Sequence, residues 1–488
     1  MNTKIGYIPR EKRKKLLLLC DDIRFTSGIS TVAREMVIGT AHVYNWINLG
    51  GAVDHPDKGK KLDLNEDTNK FAGITDSSIF IYPTNGYGDP DSVRLLLEIE
   101  KPDAIVIFTD PRYWIWLFQM EQEIRQKIPI IYLNIWDDLP YPMYNKSYYE
   151  SCDTLMAISK QTCNINKVVL GEGLSKEKII RYVPHGINEN FFYPITSDKH
   201  DYLTLSAFKN NLFKRDYKYK LLYNARNIRR KSTSDILLAW KIFIDTLTDE
   251  EASECILVLH TQPIDDNGTN LLAVSEMLFG NNQKYNIMFH DERSPVQIMN
   301  LLYNACDTVI LTSSNEGWGL SLTEGMMCGK PIIATVTGGM QDQMRFEDEE
   351  GNWIEFTEQF GSNHRGKYKK HGIWAFPVFP SNISLIGSVP TPYIFDDRAD
   401  PKDIALQINA TYSKKIKKNQ DEWEEICEAA YAWVMSDESK MCASKMCETI
   451  IETINETFEK FEPRHKWELI ETKIPQQPKH YVKYPIAY

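Results

Sequence analysis

The stretch NEGWGLSLTEG, residues 315–325, holds two acids, Glu316 and Glu324, with seven residues between them. The apolar run Thr308–Leu311 predicts a strand, and the pattern after it predicts a helix from about Gly319. Glu316 then lies in the loop at the strand's carboxyl end. Glu324 lies about one and a half turns into the helix, roughly 7–8 Å along its axis. Gly317 and Gly319 flank Trp318 and let a ligand approach the backbone closely. The helix start at Gly319–Leu320 offers free N–H groups and a positive dipole end, which suits phosphate. Two carboxylates so spaced can accept hydrogen bonds from hydroxyls on different sugar rings of one extended ligand. One acid then serves a transferred sugar and the other a ribose, with a diphosphate between them over the helix start.

The elements that must hold these residues follow a strand–helix rhythm. Strands are expected at Leu16–Cys20, Val43–Ile47, Ile79–Tyr82, Ala104–Phe108, Ile130–Ile135, Thr154–Ile158 and Ile179–Val183. Helical patterns such as Ile29–Ile38 and Lys160–Leu170 fall between them. The rhythm restarts with Leu221–Ala225, Ile256–His260, Ile287–Phe289, Thr308–Leu311 and Pro331–Ala334. Continuous apolar strands alternating with helices mean parallel sheets covered on both faces. The fold class is therefore α/β, with two doubly wound, Rossmann-like domains facing a cleft where ligands bind at strand carboxyl ends. The first domain spans 1–195 and the second 196–461, with an insertion at about 341–392. The Pro- and aromatic-rich tail 462–488 is expected to wrap over the surface.

Composition bounds the function. The chain of 488 residues has 42% hydrophobic residues and a net charge of −11, which argues against a general nucleic-acid binder. No run reaches the roughly 18 apolar residues of a membrane span, and the five-residue apolar run after the basic leader is too short for a signal peptide. The nine cysteines are scattered with no C-x-x-C pair, as expected of reduced, packed thiols in a cytoplasmic protein. No carboxylate cluster or cysteine–histidine spacing suggests a metal, and no cofactor motif appears.

The segment NEGWGLSLTEGMMCGKPIIATVTGGMQD resembles the E-x7-E signature of retaining GT-B glycosyltransferases, family 4 in particular. Gly329, Pro331 and the Gly338-Gly339 turn with Asp342 stand at the family's offsets. LLYNARNIRRK is similar to the strand whose arginine and lysine hold the donor diphosphate, which puts Arg226 and Lys231 in that role. DDIRFTSGIS resembles the first glycine loop, with Gly28 matching. VPHGINENFFYP resembles the interdomain segment, with His185, read here as structural, in place of asparagine. The resemblance spans roughly residues 16–340 and resumes at YIFDDRADPKDIALQI. It implies a tail, 462–488, that crosses back toward the first domain, and a metal-independent, retaining transfer from a nucleotide sugar to an acceptor hydroxyl. The donor side would comprise Gly28, Arg226, Lys231, Gly317, Trp318, Gly319, Leu320 and Glu324, and Glu316 would be catalytic.

One place departs from the family, which carries a histidine after the strand Ile130–Ile135. Here NIWDDLPY offers Asp137 and Asp138. They either take the polar role beside the reacting sugar or are turn residues before Pro140. The acceptor stays open between a polysaccharide and other hydroxyl carriers. A modified DNA base, as in some viral GT-B enzymes, is among them because of the basic run HRGKYKKH at 364–371. Oligomeric state, donor base and donor sugar are equally open. The competing readings are other GT-B chemistry, such as a sugar-nucleotide epimerase, and an inactive nucleotide- or glycan-binding module.

Overall fold

A computed structural model describes residues 6–52, 54–280 and 282–464. The first domain is built on β1 (Lys14–Asp21), β2 (Tyr44–Gly51), β3 (Leu62–Asp63), β4 (Ile79–Pro83), β5 (Ala104–Phe108), β6 (Ile130–Asn134), β7 (Thr154–Ala157) and β8 (Ile179–Tyr182). They form one sheet in the order β3-β4-β2-β1-β5-β6-β7-β8. All neighbours are parallel except the short edge pair β3–β4. The second domain holds β9 (Tyr219–Asn224), β10 (Cys255–His260), β11 (Ile287–Phe289), β12 (Thr308–Leu311), β13 (Ile332–Thr335) and β14 (Ala375–Val378). These form an all-parallel sheet in the order β11-β10-β9-β12-β13-β14.

The central strands explain the layering. Leu16 to Cys20 in β1 and Val309 to Leu311 in β12 are fully buried. Such runs have no solvent face, so helices must cover both sides of each sheet.

Two features of the expected organisation change. The stretch 341–392 is not wholly an insertion, because β14 lies within it and pairs in register with β13, Ile332 opposite Ala375. Its Pro377 hid it, since proline cannot donate to a ladder and is tolerated only at a sheet edge, which is where β14 sits. A third element follows: the antiparallel hairpin β15 (Asn382–Ser388) and β16 (Thr391–Arg398).

The return to the first domain is also earlier than expected. The helix Ala443–Lys460 falls within the 196–461 expected for the second domain but packs on the first. Tyr44 donates to Asn455 Oδ1 at 2.8 Å, and the Thr154 and Thr457 hydroxyls meet at 2.7 Å. The Arg464 amide then donates to the Arg125 carbonyl at 2.9 Å. The expected course of the tail, apart from 462–464, lies outside the described residues.

Candidate active site in the interdomain cleft

The loop after β12 carries Glu316 into the cleft. Gly319, at φ +88°, starts the helix Leu320–Met327 in the left-handed region that glycine tolerates. The Gly338-Gly339 turn packs against this loop so closely that a Cβ on Gly338 would stand 2.0 Å from the Glu316 carbonyl oxygen. Any side chain there would push the glutamate out of place.

Glu316 is 8% exposed and is held by cations. Its Oε2 accepts from Arg230 at 2.6 Å, from Ser313 Oγ at 3.2 Å and from the Lys231 ammonium. Burial alone would raise its pKa, but Arg230 and Lys231 prevail and hold it at about 2. Arg230 and Lys231 reach it together because Arg229–Lys231 forms a tight 3-10 turn after β9.

Arg226 does not join this cluster. It turns outward and pairs with Asp265 at 2.7 and 3.1 Å. Arg230, which the family pattern did not single out, stands with Lys231 instead. The only hint in the sequence was the density of bases in RNIRRK.

Glu324 lies in the helix and accepts from the Tyr303 hydroxyl at 2.5 Å, and Asn224 Nδ2 donates to that same hydroxyl at 2.7 Å. Burial raises the Glu324 pKa. Trp318 is 2% exposed, with its indole N–H on Thr323 Oγ1 at 3.0 Å. It packs the loop from within rather than lining a donor surface. His185 lies edge-on to Phe108 and Trp318, with centroids at 5.6 and 6.3 Å, and burial lowers its pKa to about 3. It is a neutral packing residue beside the site.

The first domain meets this loop directly. A Cβ on Gly28 would touch Leu320 Cδ1 at 3.3 Å, so the first glycine loop faces the helix start. A Cβ on Gly317 would lie 3.1 Å from the Ile135 carbonyl and 4.0 Å from Asp137 Cγ. The Asp137 carboxyl thus sits over the Gly317 and Gly338 turns, at the end of β6. Burial pushes its pKa up to about 7, Arg230 opposes the rise and Glu316 adds to it. Asp138 is pushed well above the usual range by burial and by Asp137. Asp342 ties the halves together. Its Oδ2 accepts from the Lys160 amide at 2.8 Å, at the start of the first-domain helix Lys160–Leu170.

The hairpin completes the cleft. Asp397 anchors it to the second domain, its amide donating to the Ser314 carbonyl at 2.8 Å and its carboxylate accepting from Thr337 at 2.6 Å and Ser362 at 2.7 Å. Its other side rests on the first domain. The Phe395 amide donates to the Leu139 carbonyl at 2.5 Å, and Tyr144 donates to the Tyr393 carbonyl at 3.0 Å. Two cavities flank the hairpin tip at Ile386 and Gly387. One, of 730 Å³, is walled by Arg230, Thr233, Ser314, Asn315 and Asp396. The other, of 310 Å³, is walled by Asp110, Arg112, Trp136, Asp137 and Asp138. Neither glutamate lines the larger cavity.

Residues 206–361 match the family model of Glycosyl transferases group 1. The chain has the GT-B fold. The GT-B likeness extends over nearly the full chain. HepE from Anabaena, in a complex with UDP and glucose, superposes with a TM-score of 0.60 at 14% identity, covering 91% of this chain and 100% of that one. Sucrose-phosphate synthase from Thermosynechococcus elongatus gives 0.63 at 13% identity, covering 92% and 100%. The catalytic domain of starch synthase IV from Arabidopsis thaliana, bound to ADP and acarbose, gives 0.57 at 13%, covering 91% and 99%. No curated protein matches the chain in sequence. Among the described residues, no group of three or more histidine, cysteine or acidic side chains could hold a metal ion, and no helix is long and apolar enough to cross a membrane. Among the described residues, no disulfide joins any of the nine cysteines.

The basic run 364–371 is partly absorbed into the fold of this GT-B domain. His364 is buried against Phe346, with centroids at 4.3 Å, and Lys369 lies over Phe379 at 5.9 Å.

Proposed function

We propose that the protein is a retaining glycosyltransferase that moves a sugar from a nucleotide-sugar donor to an acceptor hydroxyl. The observation that carries this reading is the cluster in the cleft of buried Glu316 and Lys231 with half-exposed Arg230, beside the start of the helix Leu320–Met327. A carboxylate and two cations held together at a helix N-terminus suit a ligand whose sugar becomes cationic while its diphosphate gains charge. UDP or ADP in two of the similar structures agrees with a nucleotide-sugar donor.

In this reading Arg230 and Lys231 bind the diphosphate, helped by the helix start at Gly319–Leu320 and the facing loop at Gly28. These side chains, rather than a resident metal, supply the positive charge. Glu316 holds the transferred sugar and Glu324 the ribose, where ribose hydroxyls compete with Tyr303 for the carboxylate. The bond from the sugar's anomeric carbon to the diphosphate breaks, and its electron pair leaves with the phosphate. The acceptor oxygen bonds to the same face of that carbon, and its proton passes to the departing phosphate oxygen. Asp137, ionised, accepts a hydrogen bond from the reacting sugar and offsets its positive character. Arg226 stays at the surface with Asp265.

Incubation with a panel of nucleotide sugars and carbohydrate acceptors, followed by mass spectrometry and NMR of the anomeric proton, tests this. The expected product keeps the donor's anomeric configuration. An inverted product contradicts retention, and conversion of the donor without transfer favours epimerase chemistry.

A further inference from the structure

The cavity of 310 Å³ on the first-domain side of the hairpin has a composition unlike the donor side. Its floor is Trp136, whose indole N–H is fixed on the Asp138 carbonyl at 3.1 Å. Asp137 and Asp138 form one wall, and Asp138 Oδ1 is buried without a hydrogen-bond partner. The cation in its lining is Arg112, and that guanidinium is already committed. It clasps Asp110 through 2.9, 3.1 and 2.5 Å contacts, donates to Thr391 Oγ1 and lies over the Trp136 ring at 5.7 Å. The outer wall is the hairpin, with Ile386, Gly387, Ser388 and Thr391. The hairpin lies beyond the residues 206–361 that match the family model.

We propose that this cavity is the acceptor subsite and that it takes a single uncharged sugar residue, presented by the hairpin to Asp137. This rests on the glycosyltransferase reading above and narrows it. Size, charge and aromatic content agree. At roughly 30 Å³ per water, the cavity holds on the order of ten waters, the scale of one sugar ring. An indole beside acceptor and donor oxygens suits a ring with an apolar face and hydroxyl edges. A phosphorylated acceptor would bring its charge beside ionised Asp137 with no uncommitted cation in the wall, and like charges brought together without counterions are strongly disfavoured.

The test uses the full-length enzyme with its best nucleotide-sugar donor. Transfer is measured to neutral mono- and oligosaccharides, to the matching sugar phosphates and to duplex DNA carrying hydroxymethylated bases. Donor affinity is measured separately by calorimetry. Neutral sugars are expected to exceed their phosphates by about 100-fold in kcat/KM. The variant Ser388→Trp, at an exposed position of the hairpin, fills the cavity mouth. It is expected to raise the acceptor KM by about 10-fold or more while the donor Kd stays within about twofold. Sugar phosphates or DNA as the better acceptor overturn the class assigned. Wild-type transfer by Ser388→Trp, with donor binding retained, overturns the location. Absence of donor binding in the wild-type protein instead removes the glycosyltransferase reading itself, and this inference with it.

Discussion

The two walls of the cleft carry opposite chemistry. The second-domain wall gathers Arg230 and Lys231 around a carboxylate held ionised at about pKa 2, so it is built for charge. The first-domain wall gathers Trp136, Asp137 and Asp138, whose carboxyls burial pushes upward, and spends its cation on Asp110. On the proposed function, one wall stabilises a departing diphosphate and the other receives an uncharged, hydroxyl-bearing partner. The hairpin, rooted in one domain and resting on the other, divides them.

The largest effect that could break this comparison comes from the cations. Arg230→Ala and Lys231→Ala should each reduce kcat/KM by about 3–4 kcal/mol of transition-state stabilisation, whereas Arg226→Ala, removing an exposed pair with Asp265, should cost much less. Steady-state kinetics of the three variants decides it, and a larger loss for Arg226 than for Arg230 would restore the family assignment over the geometry seen here.

The two glutamates come next. Glu316→Gln should lower turnover far more than donor affinity, because a carboxylate stabilises a cationic sugar better than an amide. Glu324→Gln should mainly raise the donor KM. Kinetics paired with calorimetry separates these, and exchanged phenotypes would reverse the donor's orientation along the helix.

A smaller effect concerns pH. With Asp137 titrating at about 7 in the free enzyme and acting as the ionised form, kcat/KM should rise as pH increases through that value. Asp137→Asn should lower activity and abolish that rise. A rise that survives unchanged in the variant would assign the titration to another group.

The smallest effect is on stability. His185 remains neutral in the folded chain down to about pH 3, while the unfolded chain protonates it near 6.5. Unfolded protein therefore binds the extra proton, and stability should fall as pH drops below about 6.5 towards 3. Chemical unfolding of His185→Phe across that range should show a shallower acid loss than the wild type. An identical slope would mean that the imidazole is not held neutral.

The sequence was most legible where local pattern and tertiary burial agree. Continuous apolar runs marked β5 and β12 to the residue, because a buried parallel strand has no polar alternation to blur its ends. It was least legible at edges. β14 carries Pro377 and reads as loop, and β15 is largely exposed, so its sequence lacks a core-facing alternation. Within the cleft, the motif singled out Glu316 and Lys231, which pair in the structure, but spacing cannot show which arginine of RNIRRK a 3-10 turn points inward. It likewise marked Trp318 as a donor-side residue, whereas the tight turn folds the indole beneath the loop onto Thr323. Asp137 was found as a departure from the family histidine, and its placement over Gly317 and Gly338 came only from the docking of the two domains.

The central claim is that the charged wall holds a nucleoside diphosphate. Isothermal titration calorimetry of the full-length protein with UDP, ADP and GDP tests it most directly, with Lys231→Ala titrated in parallel. At least one nucleotide should bind the wild-type protein, and the variant should bind it about 100-fold more weakly, since a buried charge-assisted contact is lost. Equal affinity in the two proteins, or no binding of any nucleoside diphosphate to the wild type, would contradict the account.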